Sequence, residues 1–470
     1  MSVGGVSPIP GRCGFFVERK RRFCKMIVRT GNSYCGEHAD VENGNCRRRI
    51  PCPLDPKHTV FEEQLSKHLQ KCNSREKPKP VYYEQNINAG SGDEETSEDQ
   101  VLALGHRSKA ALDSHLEKLK AAAEAFGEKL EDSILSHPVL TEQLHDPNNG
   151  DSALKHLKQQ ASILGNMEEI GLLGSNRCFV EFGAGKGKLS HWIREAVKGH
   201  NDHHFLLVER SSTRFKVDGK HQQADGRFER LQVDIQHLDL GRVPLLMETR
   251  VRLVGVGKHL CGSATDLALR CLFEGVASET APPCKRSRYQ EEPAPPSPRP
   301  APPSPRPAPP SPHPAPPSPH PAPPSRADVC GVAIALCCHH RCAWRPYVGK
   351  QFFRENGLGA SEFAAFRRMS SWATCNGCPD DQSRDHDGDV EPSDKDILNG
   401  VLSAEERGRV GRLCKRLIDH GRVCYLQSKG FMTKLQYYTT PQTTLENVLL
   451  TAVPPQPADD EESTRGASRE

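Results

Sequence analysis

The chain has 470 residues, with 63 Lys and Arg against 60 Asp and Glu and a formal net charge of +3. Its length allows two or three domains, and 36% hydrophobic residues with a mean hydropathy of −0.63 leave a good share of it outside any packed core. The near balance of charge does not by itself imply a nucleic-acid partner. The lack of an apolar leader after Met1 argues against a signal peptide, and no run of about 18 apolar residues is present to span a membrane.

The 18 cysteines then read as thiols and metal ligands of a reducing compartment, the cytoplasm, the nucleus or both, rather than as a disulfide frame. Cys13, Cys24, Cys35 and His38 follow C-x10-C-x10-C-x2-H in a first module over 8–40. Cys52, His58, His68 and Cys72 follow C-x5-H-x9-H-x3-C in a second module over 49–75. Tetrahedral zinc takes four such ligands. His68 and Cys72 are four apart and share a face if Phe61–Leu69 is helical, as its residue types favour. Residues 1 to 75 hold too few large apolar side chains for a core, so metal is expected to fold them. Four protein ligands leave no open position, which makes both sites structural. Cys46 has no assigned role. Arg19-Lys20-Arg21-Arg22 and Arg47-Arg48-Arg49 make this front segment basic.

Residues 76–100 are polar and read as a flexible linker. A helical segment fills 101–150. Leu112, Leu116, Leu119, Ala123 and Phe126 fall near one face of a helix expected from Val101 to about Ser136. That stripe could pair as a short coiled coil, but packing on its own domain is the preferred reading. A second helix, Ser152 to about Ile170, leads into an α/β domain over 151–455.

Phe179–Phe182 is an apolar run that carries Glu181 near its end and opens a glycine loop, Gly183-Ala184-Gly185-Lys186-Gly187-Lys188. Phe205-Leu206-Leu207-Val208 ends at Glu209. The pair reads as two parallel strands of a nucleotide-binding sheet joined through a helix. An ATP loop would need Ser or Thr after Lys188, and a dinucleotide loop would need its third glycine one residue later. The acid-x-G-x-G form fits S-adenosylmethionine, with Glu181 toward the cationic methionine part and Glu209 on the ribose hydroxyls. Arg230–Ile235 reads as a third strand, whose Asp234 can take the adenine amino group.

Val251–Gly262 reads as a fourth strand and its C-terminal loop, followed by a helix over Ala264–Phe273. Gly331–Leu336 is the fifth strand and ends in Cys337-Cys338-His339-His340-Arg341-Cys342. Two strand ends thus crowd Lys258, His259, His339, His340 and Arg341 at one rim, where open α/β sheets bind ligands. Methyl transfer to a hydroxyl needs a base or a nearby cation there, and Lys258 and Arg341 could also hold phosphates. A third zinc site in the Cys337–Cys342 segment is disfavoured, because its spacing is too tight to close a tetrahedron alone. Cys375-x2-Cys378 has no clear partner.

Between the fourth and fifth strands lies a Pro-rich insert, 278–326, repeating Pro-Ala-Pro-Pro-Ser-Pro-Arg/His. Proline excludes helix and central strand, so this is an extended loop that could bind a proline-reading domain. A polar insert, 376–397, comes next. Ala404 to about Ser428 is largely helical, with Gly421 as a candidate break. Lys434–Thr440 and Asn447–Val453 form a final antiparallel hairpin, before an acidic tail at 456–470.

These motifs together resemble a family. Both front sites, the Phe179–Ser190 loop, Gly257–Gly262 with Ala264–Leu267, and Cys338–Cys342 are similar to those of the eukaryotic tRNA 2′-O-methyltransferases that modify the fourth nucleotide, in the acceptor stem. The resemblance covers most of the chain. It implies a Rossmann-like S-adenosylmethionine-dependent methyltransferase sheet with small N-terminal zinc-finger modules. It also implies the acceptor stems of glycine, proline and histidine tRNAs as substrates. On this reading Lys258, His259, His340 and Arg341 serve catalysis; Glu181, Gly183, Gly185, Gly187, Glu209 and Asp234 bind S-adenosylmethionine; and Zn2+ is structural. The second site is also similar to the CHHC finger of RNA-processing proteins. A non-catalytic RNA-binding adaptor, a base or protein methyltransferase, and a zinc-finger transcription regulator are the alternatives.

Overall fold

A computed structural model of the chain describes residues 9–17, 21–35, 38, 49–72, 74–75, 78–92, 109–124, 126, 129–200, 202–212, 228–249, 251–274, 328–375 and 402–455. They belong to two compact units, Met1–Pro80 and Val81–Glu470. Cys46, the inserts at 278–326 and 376–397, the tail at 456–470 and Cys378 lie outside the described residues.

The first unit holds two small hairpins. Strands β1 (Phe16–Val17) and β2 (Arg22–Phe23) pair antiparallel. Strands β3 (Arg49–Cys52) and β4 (Asp55–Phe61) pair antiparallel, and helix α1 (Leu65–Lys71) follows. Among the described residues of this unit large buried side chains are scarce: the buried ones are chiefly Cys13, Cys35, Cys52, Cys72 and Val60. Metal ligands therefore stand where a larger domain would have a core.

The second unit begins with helix α2 (Lys109–Ala123), shorter than the expected 101–136 among the described residues. Its Leu112, Leu119 and Ala122 are buried against Phe363, Phe366 and Leu417 of the same unit, so the apolar stripe is packed within it. Strand β5 (Glu131–Asp132) and helix α3 (Asp151–Glu169) come next. Then follow β6 (Arg177–Phe182), α4 (Lys188–Ala196), β7 (His203–Val208), β8 (Phe228–Leu231), β9 (Arg252–Cys261), α5 (Ser263–Phe273), β10 (Val329–Cys337), α6 (Ala360–Met369), α7 (Ala404–Ser428), β11 (Met432–Tyr437) and β12 (Val448–Val453).

The sheet runs β5-β11-β12-β10-β9-β6-β7-β8. Strands β6, β7 and β8 step outward in parallel. The chain then crosses to the other side of β6, where β9 and β10 continue in parallel. The step from β6 to β9 is a topological switch point, which opens a crevice at the carboxyl ends of the strands. Strand β12 joins β10 antiparallel, and β11 closes a hairpin on β12.

The central strands are near-continuous apolar runs because both faces are covered. Cys178, Val180 and Phe182 pack with Leu269 and Leu272 of α5 on one face. Phe179 packs with Ile163, Leu164 and Ile193 on the other. Among the described residues no helix is long and apolar enough to cross a membrane.

The fold corrects several expectations. Residues 81–92, read as part of a flexible linker, are packed: Tyr83 bridges Leu238, and Asn88 Nδ2 donates to the Ile235 and Leu238 carbonyls at 2.7 and 2.8 Å. Their polarity serves hydrogen bonding to a loop rather than solvation. The third strand is Phe228–Leu231, so Asp234 lies beyond its end and caps a short 3-10 turn over Ile235–His237. Gly421 does not break α7. A Cβ there would fall 2.1 Å from the Tyr347 hydroxyl oxygen, so the glycine admits a packed tyrosine.

Candidate active site and metal centres

Strand β9 outruns its neighbour. Its pairing with β6 stops at Glu181↔Val256, whereas its pairing with β10 continues to Cys337↔Cys261. Between the pairs Ile334↔Gly257 and Leu336↔Leu260 the register slips, leaving Lys258 and His259 opposite Ala335 alone. Such a bulge re-aims side chains and is common beside active sites. The projecting end reaches the glycine loop, since a Cβ on Gly183 would stand 3.3 Å from Leu260 Cδ2.

Gly183, Gly185 and Gly187 have φ of +63°, +50° and +76°. L side chains rarely adopt such angles, so the loop turns within five residues and leads directly into α4. A Cβ on Gly185 would meet nothing within 4 Å, which marks open space above the turn. Glu181, buried, accepts from Ser190 N–H at 2.9 Å and from its hydroxyl at 2.5 Å. Glu209 accepts from Gly185 N–H at 3.0 Å and from Ser211 N–H at 3.0 Å, one oxygen each. Each oxygen keeps a second lone pair for a ligand hydroxyl. Open backbone flanked by two fixed carboxylates suits an adenosyl group carrying a positive charge. Asp234 Oδ1 accepts from Gln236 N–H at 3.0 Å, which fixes this carboxylate just past the end of β8.

Lys258 Nζ donates toward His156 Nδ1 at 2.9 Å and His259 Nε2 at 3.2 Å. Burial, then the charge of Lys188, pushes its pKa down to about 8, against the opposing pull of Glu181. Partial burial, then the charges of Lys258 and His156, depresses His259 to about 4, although much of its surface still faces solvent. His156 is likewise lowered by burial and by Lys258. Both imidazoles are thus neutral acceptors around one cation. His156, on α3, was not found from sequence. It lies 102 residues before Lys258, and a lone histidine in the exposed first half of a helix carries no signal.

His340 and Arg341 are exposed at the end of β10, and partial burial lowers the His340 pKa. His339 is not at the rim with them. It is buried, with Nε2 2.7 Å from Asp419 Oδ1. Arg422, 1% exposed, donates to Asp419 Oδ1 at 2.9 Å, to Asp266 Oδ1 at 3.2 Å and to Asp266 Oδ2 at 2.6 Å, and reaches Cys342 Sγ at 3.2 Å. Asp266 therefore anchors α5 to α7, and His339 and Cys342 anchor the turn after β10 to it. Gly262 (φ +58°) lies so close to Arg341 that a Cβ would stand 2.4 Å from its carbonyl carbon. The two strand-end loops meet backbone to backbone.

In the first unit the expected ligands converge. Cys13, Cys24, Cys35 and His38 offer ligand atoms within 4.8 Å of one another, as do Cys52, His58, His68 and Cys72. Bonds of about 2.3 Å to sulfur and about 2.0 Å to nitrogen place tetrahedral ligands about 3.3–3.8 Å apart. Cys13 Sγ and Cys35 Sγ are 3.4 and 3.3 Å from His38 Nδ1. Cys52–Cys72, His58–His68, His68–Cys52 and Cys72–His58 measure 3.8, 3.1, 3.2 and 3.6 Å. Both sets fit zinc. Phe15 stacks on His38 with ring centroids 4.0 Å apart and sets its orientation. Cys52 ends β3, His58 sits on β4, and His68 and Cys72 come from α1 and its C-cap. Of the basic residues, Arg49 is spent on the fold. It donates to Thr59 Oγ1 and the Thr59 carbonyl at 3.0 and 2.8 Å and covers the Phe61 ring.

A mostly parallel sheet with a glycine turn and two acids at its switch point defines an α/β domain whose crevice suits a ligand, and two zinc-finger modules precede it in sequence. Residues 158–453 match the family described as Methyltransferase TRM13, residues 11–39 the CCCH zinc finger in TRM13 protein, and residues 49–73 the U11-48K-like CHHC zinc finger. The chain belongs to the TRM13 methyltransferase family. It is 51% identical over 473 residues to the mouse protein named tRNA:m(4)X modification enzyme TRM13 homolog, covering 97% of this chain and 96% of that one. The human protein of the same name is 50% identical over 467 residues, 95% of each chain. The tRNA:m(4)X modification enzyme TRM13 of the yeast Debaryomyces hansenii is 27% identical over 478 residues, 94% of this chain and 92% of that one.

Proposed function

We propose that the chain methylates the ribose 2′-hydroxyl of the fourth nucleotide in the acceptor stem of tRNA, with S-adenosylmethionine as donor and glycine, proline and histidine tRNAs as substrates. The observation that carries this reading is the β9 bulge, where a lysine of lowered pKa feels the charge of Glu181 and its strand approaches the glycine turn. The relatives named as tRNA modification enzymes, which match nearly end to end, support the substrate.

S-adenosylmethionine supplies an electrophilic methyl group when bound. Glu209 holds the ribose of the donor by its remaining lone pairs, and Glu181 offsets the positive charge near the methionine part. Gly183, Gly185 and Gly187 let the backbone approach the adenosine. Lys258 in its neutral form takes the proton at the tRNA 2′-oxygen, while His156 and His259 accept hydrogen bonds from its nitrogen and keep it oriented. Exposed His340 and Arg341 suit contact with the phosphates flanking the target. The zinc modules grip the stem by its backbone and shape, because the A-form major groove is too narrow to read.

The test is mass spectrometry of nucleosides from tRNA incubated with the chain and isotopically labelled S-adenosylmethionine. Label in a 2′-O-methyl nucleoside of the fourth position is expected. Label on a base, or on protein alone, would overturn the ribose assignment.

A further inference from the structure

Three cysteines at the ends of β9 and β10 take no part in the reading above. Cys261 ends β9, Cys337 ends β10 and Cys338 follows it. Cys261 and Cys337 are register partners, with sulfurs 3.6 Å apart. All three sulfurs lie within 4.8 Å of one another. Spacing within Cys337–Cys342 disfavours a metal because that segment cannot close a tetrahedron alone, but the fold adds a sulfur from 76 residues away.

The backbone around the cluster is fixed in a form that brings the sulfurs together. Along a strand, successive side chains point to opposite faces. Cys338 would therefore turn away from Cys337 if β10 simply continued. Instead it takes φ +53° and ψ 45°, a left-handed conformation uncommon outside glycine, and its sulfur comes round to the other two. Its N–H donates to Glu446 Oε1 at 3.1 Å, and the other oxygen of Glu446 is held by Lys415. Gly262 N–H donates to the Cys337 carbonyl at 3.3 Å, locking the end of β9 to that of β10.

Sulfurs of this separation are close to the edge of a zinc tetrahedron, about 3.8 Å. Three soft ligands select a thiophilic ion over magnesium or calcium. We propose that Cys261, Cys337 and Cys338 bind a third zinc ion as three thiolates, with the fourth position open to water. The site differs from the two front sites, which each have four protein ligands. It ties the ends of β9 and β10 together just beyond the Lys258 bulge.

The test uses the full chain purified with zinc in a reducing buffer. Elemental analysis of metal per chain is expected to give about three zinc equivalents, falling to about two in Cys338→Ser. Alkylation of the unaltered chain with mapping by mass spectrometry needs no variant to fold. Cys261, Cys337 and Cys338 are expected to be protected from iodoacetamide and to react once a strong chelator is added. About two zinc equivalents with the three thiols alkylated at the same rate with or without chelator would overturn the proposal. So would a Cys261–Cys337 disulfide found in place of metal, or copper rather than zinc recovered with the three protected thiols.

Discussion

Lys258 Nζ stands 2.9 Å from His156 Nδ1, a contact that joins α3 to the bulge on β9. With Lys258 protonated the imidazole accepts, and burial together with the Lys258 charge lowers its pKa and favours the neutral ring. Burial holds Lys258 at about 8, so its neutral form gains population as pH rises toward that value. The single-turnover rate of tRNA methylation should rise about tenfold per pH unit between 6 and 7.5 and level off above 8. Lys258→Gln should lower that rate by about 10²–10⁴ and abolish the limb, leaving donor affinity nearly unchanged. A Gln variant that kept the limb would remove Lys258 as the base.

Glu209 sits at the other end of the pocket and has a double task. It fixes the turn through Gly185 N–H and leaves lone pairs for two hydroxyls. Hydrogen bonds to a charged group contribute about 1.5–3 kcal/mol each, so loss of two in Glu209→Ala should weaken S-adenosylmethionine binding by about 10²–10⁴-fold. Isothermal titration measures this directly. Unaltered donor affinity in Glu209→Ala together with unaltered affinity in Glu181→Gln would remove the pocket from the glycine loop.

Arg422 bears on stability. It bridges Asp266 and Asp419 with all three side chains essentially sealed from water. The two carboxylates hold the guanidinium pKa well above its usual value, although burial alone would lower it. Removing one member of such a set strands the opposite charge in the interior. Arg422→Met should therefore destabilise the second unit by about 3–5 kcal/mol, read from denaturant unfolding followed by tryptophan fluorescence. A loss below about 1 kcal/mol would mean that water reaches the stranded carboxylates.

The sequence displays what local chemistry dictates and hides what the fold brings together. Glycines at 183, 185 and 187 are visible because few other residues tolerate their backbone angles, and apolar runs flank them because those strands are covered on both faces. The eight zinc-ligand candidates are visible because spacing carries the geometry. His156 is invisible, since helix α3 meets Lys258 only through tertiary packing. Arg422 reads as one more surface cation on a polar helix until Asp266 is placed beside it. The bulge that aims Lys258 cannot be read from β9 alone either, because register is a property of two strands. His339 and His340 are neighbours in sequence but go to opposite environments, one inside and one at the surface.

Gly262 offers a way to separate the rim from the pocket. Its φ of +58° and ψ of −123° lie where an alanine is strained, at a cost of about 1–3 kcal/mol. A Cβ would also stand 2.4 Å from the carbonyl carbon and oxygen of Arg341, which are backbone atoms and cannot swing aside. Gly171 serves as the control: its φ is +69°, but a Cβ there meets nothing within 4 Å. Both alanine variants should therefore lose stability, while only Gly262→Ala should push the His340–Arg341 turn outward. The expected signature is a rise of about tenfold in KM for tRNA, with donor affinity preserved, in Gly262→Ala and no such rise in Gly171→Ala, since phosphate contacts depend on where the turn sits. Equal KM values for the two variants would show that the rim does not contact the tRNA.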